Sequence, residues 1–171
     1  MGIGVLGPLT VEGSSAAINR RDRVVLAALA ACRGQALTPH ELASAVWGDH
    51  PPVSWNKNLQ GCVMRLRKLL GSRSIETVPE GYRLTIAHEQ LDAGRFERLV
   101  ERARELLELG EADRAAYLLD EALDLWRGEP LRDLVDWDRG RIESERLASL
   151  RLDAEELRLD AALRAVSTRG S

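Results

Sequence analysis

The texture of the chain changes once, near residue 91, and that change decides what the chain can fold into. Before it, short β-like runs alternate with helical stretches. After it, no segment reads as a strand. From Asp92 onward Phe96, Leu99, Val100, Ala103, Leu106 and Leu107 recur at helical spacing until Gly110. Ala115, Leu118, Leu119, Ala122, Leu123 and Trp126 do the same until Arg127-Gly-Glu-Pro130 breaks them. A third helical stretch spans 138–166, with Ile142, Leu147, Leu150, Leu157 and Ala161 among its apolar positions, and 167–171 reads as a frayed end. The first two helices form an antiparallel pair of repeat-unit length. The sequence therefore predicts a mainly α fold with a small β component, in two parts, 1–90 and 91–171.

Charge divides at the same place. The 171 residues carry a net charge of −3, which taken alone argues against a nucleic-acid partner. Residues 1–90, however, hold 10 Arg and Lys against 7 Asp and Glu, while residues 91–171 hold 14 against 20. Aromatic residues are only 4%, so the interior must be built from Leu, Ala and Val. Neither Cys32 nor Cys62 has a cysteine or histidine at metal-ligand spacing. They read as small core residues of a chain in a reducing compartment. The longest apolar run, Val24 to Cys32, is far short of the ~20 residues of a membrane span. With no signal-peptide pattern, a cytoplasmic location is expected.

The first part reads as a sequence of small elements. Ile3-Gly-Val-Leu6 and Leu9-Thr-Val11 flank a Gly7-Pro8 turn, and 16–18 is a candidate third strand, so a short sheet opens the chain. Asn19 caps a helix over 20–33, stopped by Gly34 and apolar on most sides. Thr38-Pro-His-Glu41 is a capping box with proline at the first helical position, opening a helix that Gly48 and Pro51-Pro52 end. A third helix is predicted over 54–70, stopped by Gly71. Residues 75–78 and 82–86 read as a hairpin around Pro79-Glu-Gly81.

No catalytic or metal-binding constellation is visible. The phosphate-loop, dinucleotide, zinc-protease and nucleophile-elbow patterns are absent. His40, His50 and His88 are scattered, and the spacing of Asp133, Asp136 and Asp138 is not that of a calcium loop. An enzymatic role, a cofactor and a metal are therefore not expected.

One stretch carries a different chemistry. Between Asp49 and Glu76 there is no acidic residue, while Lys57, Arg65, Arg67, Lys68 and Arg73 give the window five positive charges. At about 100° per residue, Trp55, Leu59, Cys62, Val63, Leu66 and Leu70 share one side of the third helix. Lys57, Gln60, Gly61, Met64 and Lys68 lie opposite, and Asn58, Arg65 and Arg67 lie on the flanks. Cations suit phosphates, and amides and lysines suit base edges. A solvated helix face is the plain alternative, but such faces usually mix signs. The order helix, capped helix, proline loop, basic helix, hairpin is that of a winged helix-turn-helix, with the basic helix in the groove. Arg83 on the hairpin, and Arg20, Arg21 and Arg23 at the start of the first helix, are candidate phosphate contacts.

Several separated motifs carry a family resemblance. Pro52-Val-Ser-Trp-Asn-Lys-Asn-Leu-Gln-Gly-Cys-Val-Met-Arg-Leu-Arg-Lys-Leu-Leu-Gly71 resembles the recognition helix of the Streptomyces antibiotic regulatory protein family. Val5-Leu-Gly-Pro-Leu9, the helix end Val46-Trp-Gly48 and Pro79-Glu-Gly-Tyr-Arg-Leu84 are similar to that family too. Leu125-Trp-Arg-Gly-Glu-Pro-Leu131 resembles its bacterial transcriptional activation domain. The resemblance implies an OmpR-type winged helix over 1–90 followed by a tetratricopeptide-like activation domain over 91–171. That second domain is shorter than the family's usual one, as in a piece of a longer regulator. The resemblance further implies binding to direct repeats of double-stranded promoter DNA, as a homodimer, with recruitment of RNA polymerase holoenzyme. Lys57, Asn58, Gln60, Arg65 and Arg67 match groove- or phosphate-facing family positions. Gly61, Cys62 and Met64 depart from the family's usual residues, which bears on the target sequence rather than on the class. The residues expected to meet DNA are thus Lys57, Asn58, Gln60, Gly61, Met64, Arg65, Arg67, Lys68, Arg83 and Arg21. The competing reading is an adaptor, in which the winged helix and the acidic helical part bind proteins without reading DNA sequence.

Overall fold

The computed structural model describes residues 2–171. The first helix, α1 (Arg20–Ala31), is the centre of the molecule. Asn19 caps it: its Oδ1 accepts from the Asp22 N–H at 3.0 Å. Every residue from Val24 to Ala30 is buried. That explains the absence of a polar stripe there, because the helix is enclosed on all sides. α2 (Pro39–Trp47) starts with the expected capping box. The Glu41 N–H donates to Thr38 Oγ1 at 3.1 Å, and the Thr38 N–H donates to Glu41 Oε2 at 3.3 Å. α3 (Trp55–Leu70) follows the proline loop and packs Leu59, Cys62, Val63 and Leu66 against α1 and α2.

The β structure is small and antiparallel. β1 (Ile3–Gly4) pairs with β2 (Thr10–Val11), and β3 (Ile75–Val78) pairs with β4 (Gly81–Leu84) in the register Ile75 opposite Leu84 and Val78 opposite Gly81. The second pair is the wing. Leu37 extends it by one residue: the Leu37 N–H donates to the Tyr82 carbonyl at 2.8 Å, and the Tyr82 N–H donates back at 2.9 Å. Gly81 permits this approach. Its φ is +147°, and a Cβ there would stand 2.0 Å from the Leu37 carbonyl oxygen. Two expectations need correction. Residues 16–18 form no strand; Ala16 and Ala17 are exposed, and the chain runs straight into the Asn19 cap. The second wing strand ends at Leu84 instead of 86: the Thr85 N–H still reaches the Ser74 carbonyl (2.8 Å), but the Ser74 N–H turns to the Gly71 carbonyl (3.2 Å) and does not complete the pair.

The remaining chain is helical: α4 (Asp92–Glu108), α5 (Ala112–Asp124) and α6 (Asp138–Arg169), with single 3₁₀ turns at His88–Gln90 and Arg132–Leu134. α4 packs on α5 and α5 on α6. α6 continues through the stretch expected to fray, and its Leu147, Ala154, Ala161 and Ala165 are buried. Ile142, one of the apolar positions of that stretch, is exposed. No helix is long and apolar enough to cross a membrane among the described residues. The same residues contain no group of three or more His, Cys, Asp and Glu placed to hold a metal ion.

The change of texture at residue 91 does not divide the interior. One continuous cluster of buried apolar side chains runs from Ile3 through α1 and α3 to Phe96, Leu119 and Ala161. At ~1.5–3 kcal/mol for each large apolar side chain buried, this shared interior dominates the energetics. Polar contacts follow the same seam. The Asp92 carboxylate accepts from the Val5 N–H (2.7 Å) and the Leu6 N–H (3.1 Å). The Arg127 N–H donates to the Leu6 carbonyl at 2.8 Å, and the Leu131 N–H to the Val5 carbonyl at 2.9 Å. Ion pairs Arg33–Glu97 (3.0 Å), Arg139–Glu41 (3.2 Å) and Arg23–Asp133 (3.4 Å) cross the seam further along.

Candidate nucleic-acid interface

α3 lies with its apolar side on α1 and α2, so the opposite side faces outward. The sequence fixes this orientation, because Leu59, Cys62, Val63 and Leu66 recur at helical spacing and bury together. Trp55 is half-buried at the first turn, with its ring 4.8 Å from that of His40. The outward side presents Lys57, Gln60, Met64 and Lys68, all exposed. Among the described residues none of the four has a hydrogen-bond or ion-pair partner. Asn58 is half-buried, and its Nδ2 donates to Ser54 Oγ at 3.2 Å. Ser54 makes no side-chain cap; the Trp55 N–H donates to the Pro52 carbonyl at 3.0 Å, and among the described residues the Asn56 and Lys57 N–H groups remain open.

Three of the four arginines expected at this surface are engaged within the molecule. Arg65 forks onto α1: its Nε donates to Asp22 Oδ2 at 2.8 Å and its Nη2 to Asp22 Oδ1 at 3.0 Å. Arg67 ties α3 to the wing, with Nε donating to the Ile75 carbonyl and Nη2 to Thr77 Oγ1, both at 2.9 Å. Arg83 pairs across the wing with Glu76. Arg21 is exposed and lies over the Trp47 ring, 5.5 Å from its centroid. Arg23 reaches Asp133 instead of solvent. Gly61 is half-buried on α3, one turn before Arg65. A cleft of about 510 Å³ is lined by Asn19, Arg20, Arg21 and Arg65 beside this face.

The electrostatics follow from these contacts. Hydrogen bonds to Asp22 hold the Arg65 guanidinium above its ordinary pKa. Burial, reinforced by the Asp22 carboxylate, pushes the Cys62 thiol up to about 11. Cys32 is also raised by burial, and both cysteines are free. They are inert core thiols at neutral pH.

Sequence reasoning missed Asp22. The residue sits in an Arg-Arg-Asp-Arg run, where an acid at a helix start reads as a capping group. Its partner on α3 is 43 residues away, beyond what local periodicity can indicate. Asp92 and Arg127 were missed for the same reason: Asp92 accepts from the Val5 N–H 87 residues away, and Arg127 Nη1 donates to the Pro8 carbonyl 119 residues away, at 2.7 Å.

Residues 13–84 match the family model "Transcriptional regulatory protein, C terminal", and residues 91–168 match "Bacterial transcriptional activator domain". The fold and this face thus define an OmpR-type winged helix joined to a transcriptional activator domain. The chain is 32% identical to regulatory protein DnrI of Streptomyces peucetius, over 96% of this chain and 65% of that protein. It is 34% identical to regulatory protein AfsR of Streptomyces coelicolor, over 92% of this chain and 16% of the relative. The solved structure of Mycobacterium tuberculosis EmbR in complex with a low-affinity phosphopeptide superimposes with a TM-score of 0.87 at 29% identity. That match covers 97% of this chain and 47% of EmbR. The chain thus spans under two thirds of the relatives it matches. It belongs to the Streptomyces antibiotic regulatory protein family.

Proposed function

We propose that this chain is a sequence-specific, double-stranded-DNA-binding transcriptional activator that inserts α3 into the major groove. The observation that carries it is the outward face of α3, where Lys57, Gln60, Met64 and Lys68 stand exposed and unpartnered with no acidic residue on the helix. Lysine and glutamine suit base edges and phosphates, and the exposed methionine suits a thymine methyl. Asn58 flanks this set. The open N-terminal N–H groups of α3 suit a backbone phosphate. Arg20, Arg21 and Arg73, exposed on either side, extend the positive surface. Family resemblance supports reading the operator as a direct repeat in a promoter, bound by a homodimer, with recruitment of RNA polymerase holoenzyme as the output.

A gel shift tests this directly. The protein should retard a duplex selected from a random-sequence pool in preference to a scrambled duplex. With Lys57, Lys68, Arg73, Arg20 and Arg21 as the available cations, log affinity should fall with log salt at a slope of roughly −4 per protomer. Failure to retard any duplex at low salt would sink the proposal and favour a protein-binding adaptor.

A further inference from the structure

Arg65 stands on the flank of α3 where a phosphate contact is expected, yet its guanidinium turns back onto α1. Its target is a buried acid. Asp22 is 4% exposed, and Asp22 and Ser74 are the buried polar residues of the described chain. Asn19 Nδ2 donates to Asp22 Oδ2 at 3.0 Å, and Arg65 supplies the cation, at 2.8 Å. Two parallel N–H···O bonds fix both distance and plane, which a single contact does not.

The apolar underside of α3 cannot supply that restraint. Hydrophobic burial is non-directional and tolerates small rotations. A roll of about 10° about the helix axis moves groups ~6 Å from that axis by about 1 Å. That is enough to break base-edge hydrogen bonds, which need ~2.7–3.2 Å. Two directional ties oppose such a roll. Arg65 holds one flank of α3 to Asp22 on α1, and Arg67 holds the other to Ile75 and Thr77 on β3. Gly61 lies beside the first. A Cβ at residue 61 would stand 3.3 Å from Arg65 Nη1 and 4.0 Å from Nη2, so the guanidinium would have to give by a few tenths of an ångström.

We propose that Arg65 is a positioning residue for DNA readout: its fork onto Asp22 sets the roll of α3. The proposal rests on the DNA-binding reading above. It separates two roles that the sequence cannot tell apart, a phosphate contact and an internal brace.

Arg65→Lys discriminates between them, because lysine keeps the charge but cannot form the fork. The probes are a duplex selected by the wild-type protein from a random pool and a scrambled duplex of equal composition. As a brace, Arg65→Lys should leave affinity for the scrambled duplex and the salt slope unchanged. The preference for the selected duplex should fall about tenfold, the order of one mismatched base pair. Asp22→Asn and Arg65→Gln should each reduce the preference, and the double variant should be no worse than the poorer single. Amide hydrogen exchange in α3 should quicken in the lysine variant without DNA. Full preference in Arg65→Lys overturns the proposal. So does an equal loss on both duplexes in Arg65→Gln with the slope reduced by about one, the signature of a phosphate contact. If the wild-type protein retards neither duplex, the DNA-binding reading fails by itself. Exchange in α3 then decides the brace alone, and unchanged protection in Arg65→Lys ends it.

Discussion

Lys57 and Gln60 differ from the neighbouring arginines in having nothing to hold within the molecule. Substituting either by alanine should cost little stability, within about 0.5 kcal/mol, as at most exposed positions. It should relax discrimination at one or two base pairs by ~1–3 kcal/mol each. Competition binding with single-position operator variants checks this, and an unchanged specificity profile would exclude these two from base contact. Cys62 makes a separate prediction. Its folded pKa of about 11 lies above the ordinary 9.0, so the folded state holds the thiol proton more tightly than the unfolded state. Stability from this site is fully present below pH 9 and is lost as pH rises towards 11, by about 3 kcal/mol at most. Urea melts of wild type and Cys62→Ala at pH 8 and pH 10.5 should show the larger alkaline loss in the wild type. Equal losses would mean that the thiol does not titrate as its surroundings imply.

Elements with strong local signals were legible in the sequence, and those that depend on distant partners were not. α2 was readable from its capping box and proline, α3 from its apolar period and Gly71, and the wing from its turn residues. The outward face of α3 was equally plain, because helical spacing and the absence of acids are local facts. The employment of Arg65, Arg67 and Arg83 was hidden, since their partners are chosen by packing between elements. The strand expected at 16–18 does not form; its Ala16 and Ala17 stay exposed, and no strand pairing includes them. Along α6 the period was legible but the side was not. Leu147, Ala154, Ala161 and Ala165 face inward, while Leu152, Leu159, Leu163 and Val166 are exposed. Small residues on the buried side bring α6 close to α5. Ala161 is fully buried, so Ala161→Leu should overpack the contact and cost ~1–3 kcal/mol. Thermal melts against Leu159→Ala, which changes an exposed position, should show the first variant clearly less stable. Equal stability would mean that the α5–α6 contact is loose.

At the scale of the whole molecule, the parts distinguished by texture and charge share one interior. The 171-residue chain should therefore unfold in one transition, with far-ultraviolet dichroism and tryptophan fluorescence coinciding. A fragment of residues 1–90 loses the acceptor for the Val5 and Leu6 N–H groups and uncovers the inner side of α1. It should melt at a much lower temperature or show no cooperative transition, although the charge pattern places DNA contact within it. Two separate transitions in the full chain would instead mean that the seam is weak.

The Asp92 clasp on Val5 and Leu6 also limits how such regulators can be recombined. A chimaera that grafts a foreign reading head onto residues 91–171 replaces the Val5–Leu6 turn that Asp92 and Arg127 grip, along with the Arg33 that meets Glu97. Exchange of specificity between relatives is then better attempted by transplanting the outward residues of α3 alone, leaving the grip, the seam and the Arg65 brace in place.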